Sequence, residues 1–112
     1  MQPYYQNECQ LVGEVHENIV LRWNKNHPMV EFYLKMPRVE SFKSKETQTL
    51  RCICKTAHAL YIAEKFSAGD RIMVKGGLNS VNRCFEDGFM SEVTIVVKRC
   101  YPLNQMEHFH HN

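Results

Sequence analysis

The chain has 112 residues, 44 % of them hydrophobic and 23 % charged, with a formal net charge of +2. That composition suits an ordinary globular protein with one hydrophobic core, and no apolar run approaches the roughly 18 residues of a membrane-spanning helix. So mild a positive charge permits a polyanionic partner without announcing one, and any such case rests on where the charges fall.

Residues 1–10 are polar and aromatic, with no basic start leading into an apolar stretch. They read as non-secretory, and a cytoplasmic location is expected. The cysteines, Cys9, Cys52, Cys54, Cys84 and Cys100, are odd in number, which favours reduced thiols over a disulfide framework. The remainder is short alternating runs punctuated by turn residues, the pattern of a small all-β domain.

The first run covers residues 9–16 and continues after a bend through 19–23, with Gly13 suited to a tight place inside a barrel strand. Residues 24–28 form a turn by residue type. A second strand follows at 29–36, with Val30, Phe32, Leu34 and Met36 on one face and Glu31, Tyr33 and Lys35 on the other. Pro37 closes it, and the polar, basic residues 38–48 read as a mobile hairpin loop. The third strand, 49–55, sets Leu50, Cys52 and Cys54 against an outward face of Arg51, Ile53 and Lys55.

The period then changes. Ala59, Ile62, Ala63 and Phe66 form the apolar stripe of a short helix within 57–66, with Thr56 as its expected cap and 67–70 as its end. A fourth strand at 71–79 is expected to bury Ile72, Val74 and Leu78 and to show Arg71, Met73 and Lys75. Glu86-Asp87-Gly88 signals a hairpin turn into a fifth strand at 89–99. Three strands, one helix and two strands is the order of the five-stranded oligonucleotide-binding barrel, the OB-fold. The expected organisation is an N-terminal extension at 1–6, the OB-fold domain at 7–103 and a short tail at 104–112.

The segment Asn7-Glu8-Cys9-Gln10-Leu11-Val12-Gly13-Glu14-Val15 resembles the opening strand of bacterial single-stranded DNA-binding proteins. Leu21-Arg22-Trp23, Phe32-Tyr33-Leu34 and Thr49-Leu50-Arg51-Cys52-Ile53-Cys54 fall in that family's order. The passage from Ala63 through Ser67-Ala68-Gly69-Asp70-Arg71 to Gly76 is similar to its helix-to-strand junction. The resemblance implies an OB-fold barrel that binds single-stranded DNA as a homodimer or homotetramer, with replication proteins as further partners. Where that family places base-stacking aromatics, the third strand here carries Thr49 and Lys55, leaving Trp23, Phe42 and Phe85 as aromatic stand-ins. The family's acidic, proline- and glycine-rich tail is not matched, which resembles the shorter primosomal PriB-type relatives.

Such a barrel lays phosphates along cations and bases against flat side chains. Arg51, Ile53 and Lys55 share the strand-three face that meets DNA in the resemblance. Arg38, Phe42, Lys43 and Lys45 interleave cations with an aromatic on the adjoining loop, and Lys35, Lys75 and Arg83 extend the set. Trp23 either stacks a base or packs at a barrel end or oligomer contact. Tyr33 either stacks a base or fills a subunit interface.

No cofactor and no metal are expected. Cys52 and Cys54 flank a single residue, a spacing suited to buried thiols and not to a zinc pair, and His108, His110 and His111 form only a histidine-rich end. His16, His27 and His58 stand apart from any nucleophile pattern, so an enzyme is not expected. Two alternatives stay open: an OB-fold adaptor working through protein contacts with little nucleic-acid binding, and a barrel that prefers RNA.

Overall fold

The computed structural model describes residues 5–39 and 46–103. In chain order the elements are β1 (Cys9–Asn24), β2 (His27–Pro37), β3 (Thr47–Cys54), α1 (His58–Lys65), β4 (Arg71–Phe85) and β5 (Gly88–Pro102). The strands close into a barrel in the order β1-β2-β3-β5-β4, with β4 returning to β1. Neighbours are antiparallel except β3 and β5, which run parallel over the short register from Arg51↔Thr94 to Ile53↔Val96. The all-β OB-fold expected from the strand order is the fold observed.

Alternation along the strands produces the core. Val15, Val30, Phe32, Leu34, Cys52, Cys54, Ile72, Val74, Ile95 and Val97 point into one cluster, which α1 joins through Ala59, Ile62 and Phe66. Each large side chain buried there contributes about 1.5–3 kcal/mol. Gly13 is where β1 passes closest to β2: a Cβ would lie 2.6 Å from the Lys35 carbonyl oxygen and 2.8 Å from Leu34 Cγ. The bend in β1 falls between His16 and Val20, where the register with β2 shifts and Glu17 takes a φ of 64°.

The last hairpin is longer than its sequence pattern implies, because β4 continues to Phe85 and β5 to Pro102. Yet β1 holds β4 only along residues 71–76, and β3 holds β5 only along 94–96. From Leu78 to Val93 the hairpin therefore outruns the barrel and both its faces meet solvent. Leu78, expected in the core, is 46 % exposed for this reason.

Three further expectations need correction. Met73 and Ile53 keep the outward parity of their strands and stay outside the core cluster, yet they are only 4 % and 8 % exposed. Their register neighbours on the curved outer surface, Val12 and Tyr101 for Met73 and Glu31 and Val96 for Ile53, stand close on both sides. The N-cap of α1 is Ala57, without a side-chain cap; the Thr56 hydroxyl instead accepts the His58 N–H at 3.3 Å. Among the described residues no helix is long and apolar enough to cross a membrane.

Candidate nucleic-acid interface

The outer face of the sheet is built from rows that run across the strands, since directly paired residues point to the same side. One row reads His16, Tyr33, Arg51, Thr94 and Asn79, and so spans β1, β2, β3, β5 and β4 in turn. Tyr33 is 37 % exposed beside Arg51. Lys35 follows on β2, half-buried, and exposed Lys55 stands just past the end of β3.

Arg51 is tied down. Its Nε and Nη2 donate to the same Glu31 carboxylate oxygen at 2.7 and 2.6 Å, and Nη1 donates to Thr94 Oγ1 at 3.3 Å. One guanidinium thus links β2, β3 and β5, and an anion approaching it must compete with a carboxylate. Arg83 is paired in the same manner, Nη2 to Glu92 Oε2 at 3.0 Å across the hairpin. That pair is solvent-exposed and so contributes about 0–1 kcal/mol, which a phosphate can displace. The Lys75 ammonium sits 5.6 Å from the centre of the Tyr101 ring.

Two further aromatics lie at the extremities. Trp23 pairs with Pro28 at the end of the β1–β2 hairpin and is 58 % exposed. Its register places it on the side of Leu21 and Val30, so it leaves the barrel end from the face opposite Tyr33 and Arg51. Phe85, also 58 % exposed, stands at the tip of the β4–β5 hairpin. The structure thus brings together Tyr33, Lys35 and Arg51, sets Lys55 at the end of that face, and leaves Trp23, Lys75, Arg83 and Phe85 at its margins. Ile53 lies beneath it. Arg38 is exposed just after β2, while Phe42, Lys43 and Lys45 lie outside the described residues.

Sequence reasoning missed two groups. Phe89 and Met90, 72 % and 59 % exposed, join Val81 and Val93 on the projecting hairpin. Their sign in the sequence was an apolar pattern that follows neither parity between residues 78 and 93, which no half-buried strand needs. Lys98 and Arg99 were passed over as the end of a strand. In fact the β4–β5 register shifts between Lys75 and Gly76, so Gly76 pairs with Val97, Lys75 with Arg99, and Lys98 is the extra residue of a β-bulge.

The core thiols Cys52, Cys54 and Cys100 are buried, whereas Cys84 is exposed. Burial, and then nearby Cys9, push the Cys52 thiol up to about 12, and burial raises Cys100 as well. The cysteines are free, and among the described residues no group of three or more His, Cys, Asp or Glu side chains is placed to hold a metal ion.

No sequence-family model and no curated protein sequence matches the chain. Solved structures do. The small single-stranded DNA-binding protein of Streptomyces coelicolor aligns with a TM-score of 0.67 at 20 % identity, covering 85 % of this chain and 92 % of that one. The SSB domain of a Synechococcus sp. protein aligns with a TM-score of 0.68 at 18 % identity, covering 89 % of this chain and 99 % of the other. The likeness covers most of this chain, and at these identities it is a likeness of fold.

Proposed function

We propose that this protein is a non-enzymatic binder of single-stranded DNA that serves replication, recombination or repair in the cytoplasm and works as a homodimer or homotetramer. The observation that carries the reading is a closed OB barrel superposable along nearly its full length on single-stranded DNA-binding proteins. Trp23 and Phe85 stand exposed at hairpin ends, and Tyr33 on the outer face, instead of being buried. In this reading Tyr33, Lys35, Arg51 and Lys55 form the central track, with Arg38 beyond β2, and Phe42, Lys43 and Lys45 contribute further contacts. Trp23, Lys75, Arg83 and Phe85 meet the strand where it leaves that track. Stacking contributes about 1–3 kcal/mol per base, and phosphate contacts add a salt-dependent, sequence-independent term.

Trp23 provides the test. Its fluorescence, titrated with oligothymidine, is expected to respond at low salt and to lose apparent affinity steeply as salt is raised. A flat titration at low salt overturns the reading. Matched RNA and DNA oligomers in the same assay are expected to show DNA at least equal to RNA.

A second reading, an OB-fold adaptor that works through protein contacts, is favoured by the carboxylates already occupying Arg51 and Arg83 and by the apolar hairpin. It predicts a flat titration together with complexes that survive nuclease treatment.

A further inference from the structure

The β3–β5 seam is the shortest in the barrel, and it opens below Val96. β3 ends at Cys54 and the chain turns into α1, while β5 continues through Lys98, Arg99 and Cys100. Between them lies a hollow of about 660 Å³ bordered by Lys98, Arg99, Tyr101, His58 and Tyr61. His58 holds its upper edge: Nε2 accepts the Cys100 backbone N–H at 3.0 Å, replacing the ladder bond that the departing β3 no longer supplies. The Tyr61 ring stacks on His58 with centroids 5.0 Å apart and meets the edge of Phe66 at 5.8 Å, yet remains 40 % exposed. It is a flat apolar surface already fixed in place.

The charge here differs from that around Arg51. Among the described residues no acidic side chain borders the hollow, and no carboxylate pairs with Lys98 or Arg99. Lys98, thrown out by the bulge, also borders a neighbouring hollow of about 470 Å³ that reaches Lys75 and includes Glu8. Arg99, Lys98 and Lys75 thus form a line of cations away from the Tyr33–Arg51 row, ending beside a fixed ring. Unpaired cations next to a rigid aromatic suit a ligand that carries a phosphate and a base on one backbone.

We propose that the cleft where β5 parts from β3 is a second contact site for single-stranded nucleic acid, with Lys98 and Arg99 on the phosphate and Tyr61 against the adjoining base. The proposal rests on the single-strand reading above and adds a separate segment of bound strand to it. A strand too short to extend beyond the Tyr33–Arg51 face does not reach the cleft, whereas a longer one does.

Two oligothymidines, one short and one long, titrated against wild type, Lys98→Ala/Arg99→Ala and Tyr61→Leu, test it, with circular dichroism confirming that each variant is folded. For the long oligomer the double variant is expected to lower the slope of log affinity against log salt by about 1.4, about 0.7 for each phosphate contact. Tyr61→Leu is expected to weaken the same oligomer about fivefold, the low end of one lost base stack. Binding of the short oligomer stays unchanged in both variants. An unchanged salt slope and affinity for the long oligomer overturns the proposal, and so does an equal loss at both lengths. A polyglutamate peptide that binds wild type but not the double variant, with DNA binding intact, places a protein partner there and also overturns it. Failure of wild type to bind either length overturns the single-strand reading itself, a result distinct from the others.

Discussion

His58 joins the end of α1 to the last strand through a bond that exists only while its ring is neutral. Burial, followed by the nearby Arg99 guanidinium, holds its pKa below the usual histidine value. Protonating Nε2 would also set a second donor against the Cys100 N–H. Because the folded value lies below the unfolded one, the unfolded chain takes up the proton first as pH falls. The contribution is complete above the ordinary value of about 6.5 and is lost as pH falls from there through the lower folded value. Urea midpoints are expected to fall between about pH 7 and 5 with a slope of up to one proton from this group. His58→Gln, whose side-chain oxygen accepts the same bond without titrating, should flatten that slope. An identical slope in the variant would mean that another group carries the acid sensitivity. The lesson from Arg51 is different: its residue type and parity were readable, but the Glu31 that claims it belongs to another strand.

Among the elements, the β4–β5 pair decides most. Its bulge depends on Gly76, where a Cβ would fall 2.1 Å from the Val96 carbonyl oxygen and 2.9 Å from its carbon. Both are backbone atoms, so there is no side chain to rotate away. Gly76→Ala is expected to destabilise the barrel by about 2 kcal/mol or more in chemical denaturation, at the level of overpacked cores. It should also disturb the placement of Lys98. A loss of only a few tenths of a kcal/mol would show that the bulge relaxes freely. At the other edge of β4, the Asn7 side chain imitates a ladder residue: its Oδ1 accepts the Leu78 N–H and its Nδ2 donates to the Leu78 carbonyl, both at 2.8 Å. This carries β1's pairing past its own end, and here the asparagine of the opening motif has a structural task.

At the scale of the whole molecule, the exposed apolar residues are unevenly spread. Leu78, Val81, Phe85, Phe89, Met90 and Val93 gather on one projecting hairpin and are between 46 % and 72 % exposed. The β4–β5 register sets Leu78, Phe89 and Val93 on one face of the hairpin and Val81, Phe85 and Met90 on the other, and exposed apolar side chains so concentrated suit an interaction surface. For the proposed homo-oligomer this hairpin is the expected contact. Solution mass at micromolar concentration is expected to exceed that of one chain, and Phe89→Ser is expected to shift the distribution toward the monomer. A monomeric wild type at every concentration removes the oligomer from the reading and leaves the hairpin to DNA or to another protein.

The order of strands, helix and turns, and the core residues of β2, β3, α1 and β4 apart from Leu78, were set by local pattern, whereas Val15, Ile95, Val97 and Cys100 were not singled out. Parity along a strand and the helical stripe of Ala59, Ile62 and Phe66 are properties of neighbours in sequence. What surrounds the outer face was not local. Whether Leu78 lies under another strand, whether Arg51 meets a phosphate or a carboxylate, and whether Met73 sees water all depend on which strands stand alongside and where they stop. The cleft beside Lys98 exists because β3 leaves β5 after a short parallel register, an event that joins residues more than forty positions apart. Only closure of the barrel could decide it, because for residues so far apart in sequence the distance in space is set by the fold and not by local pattern.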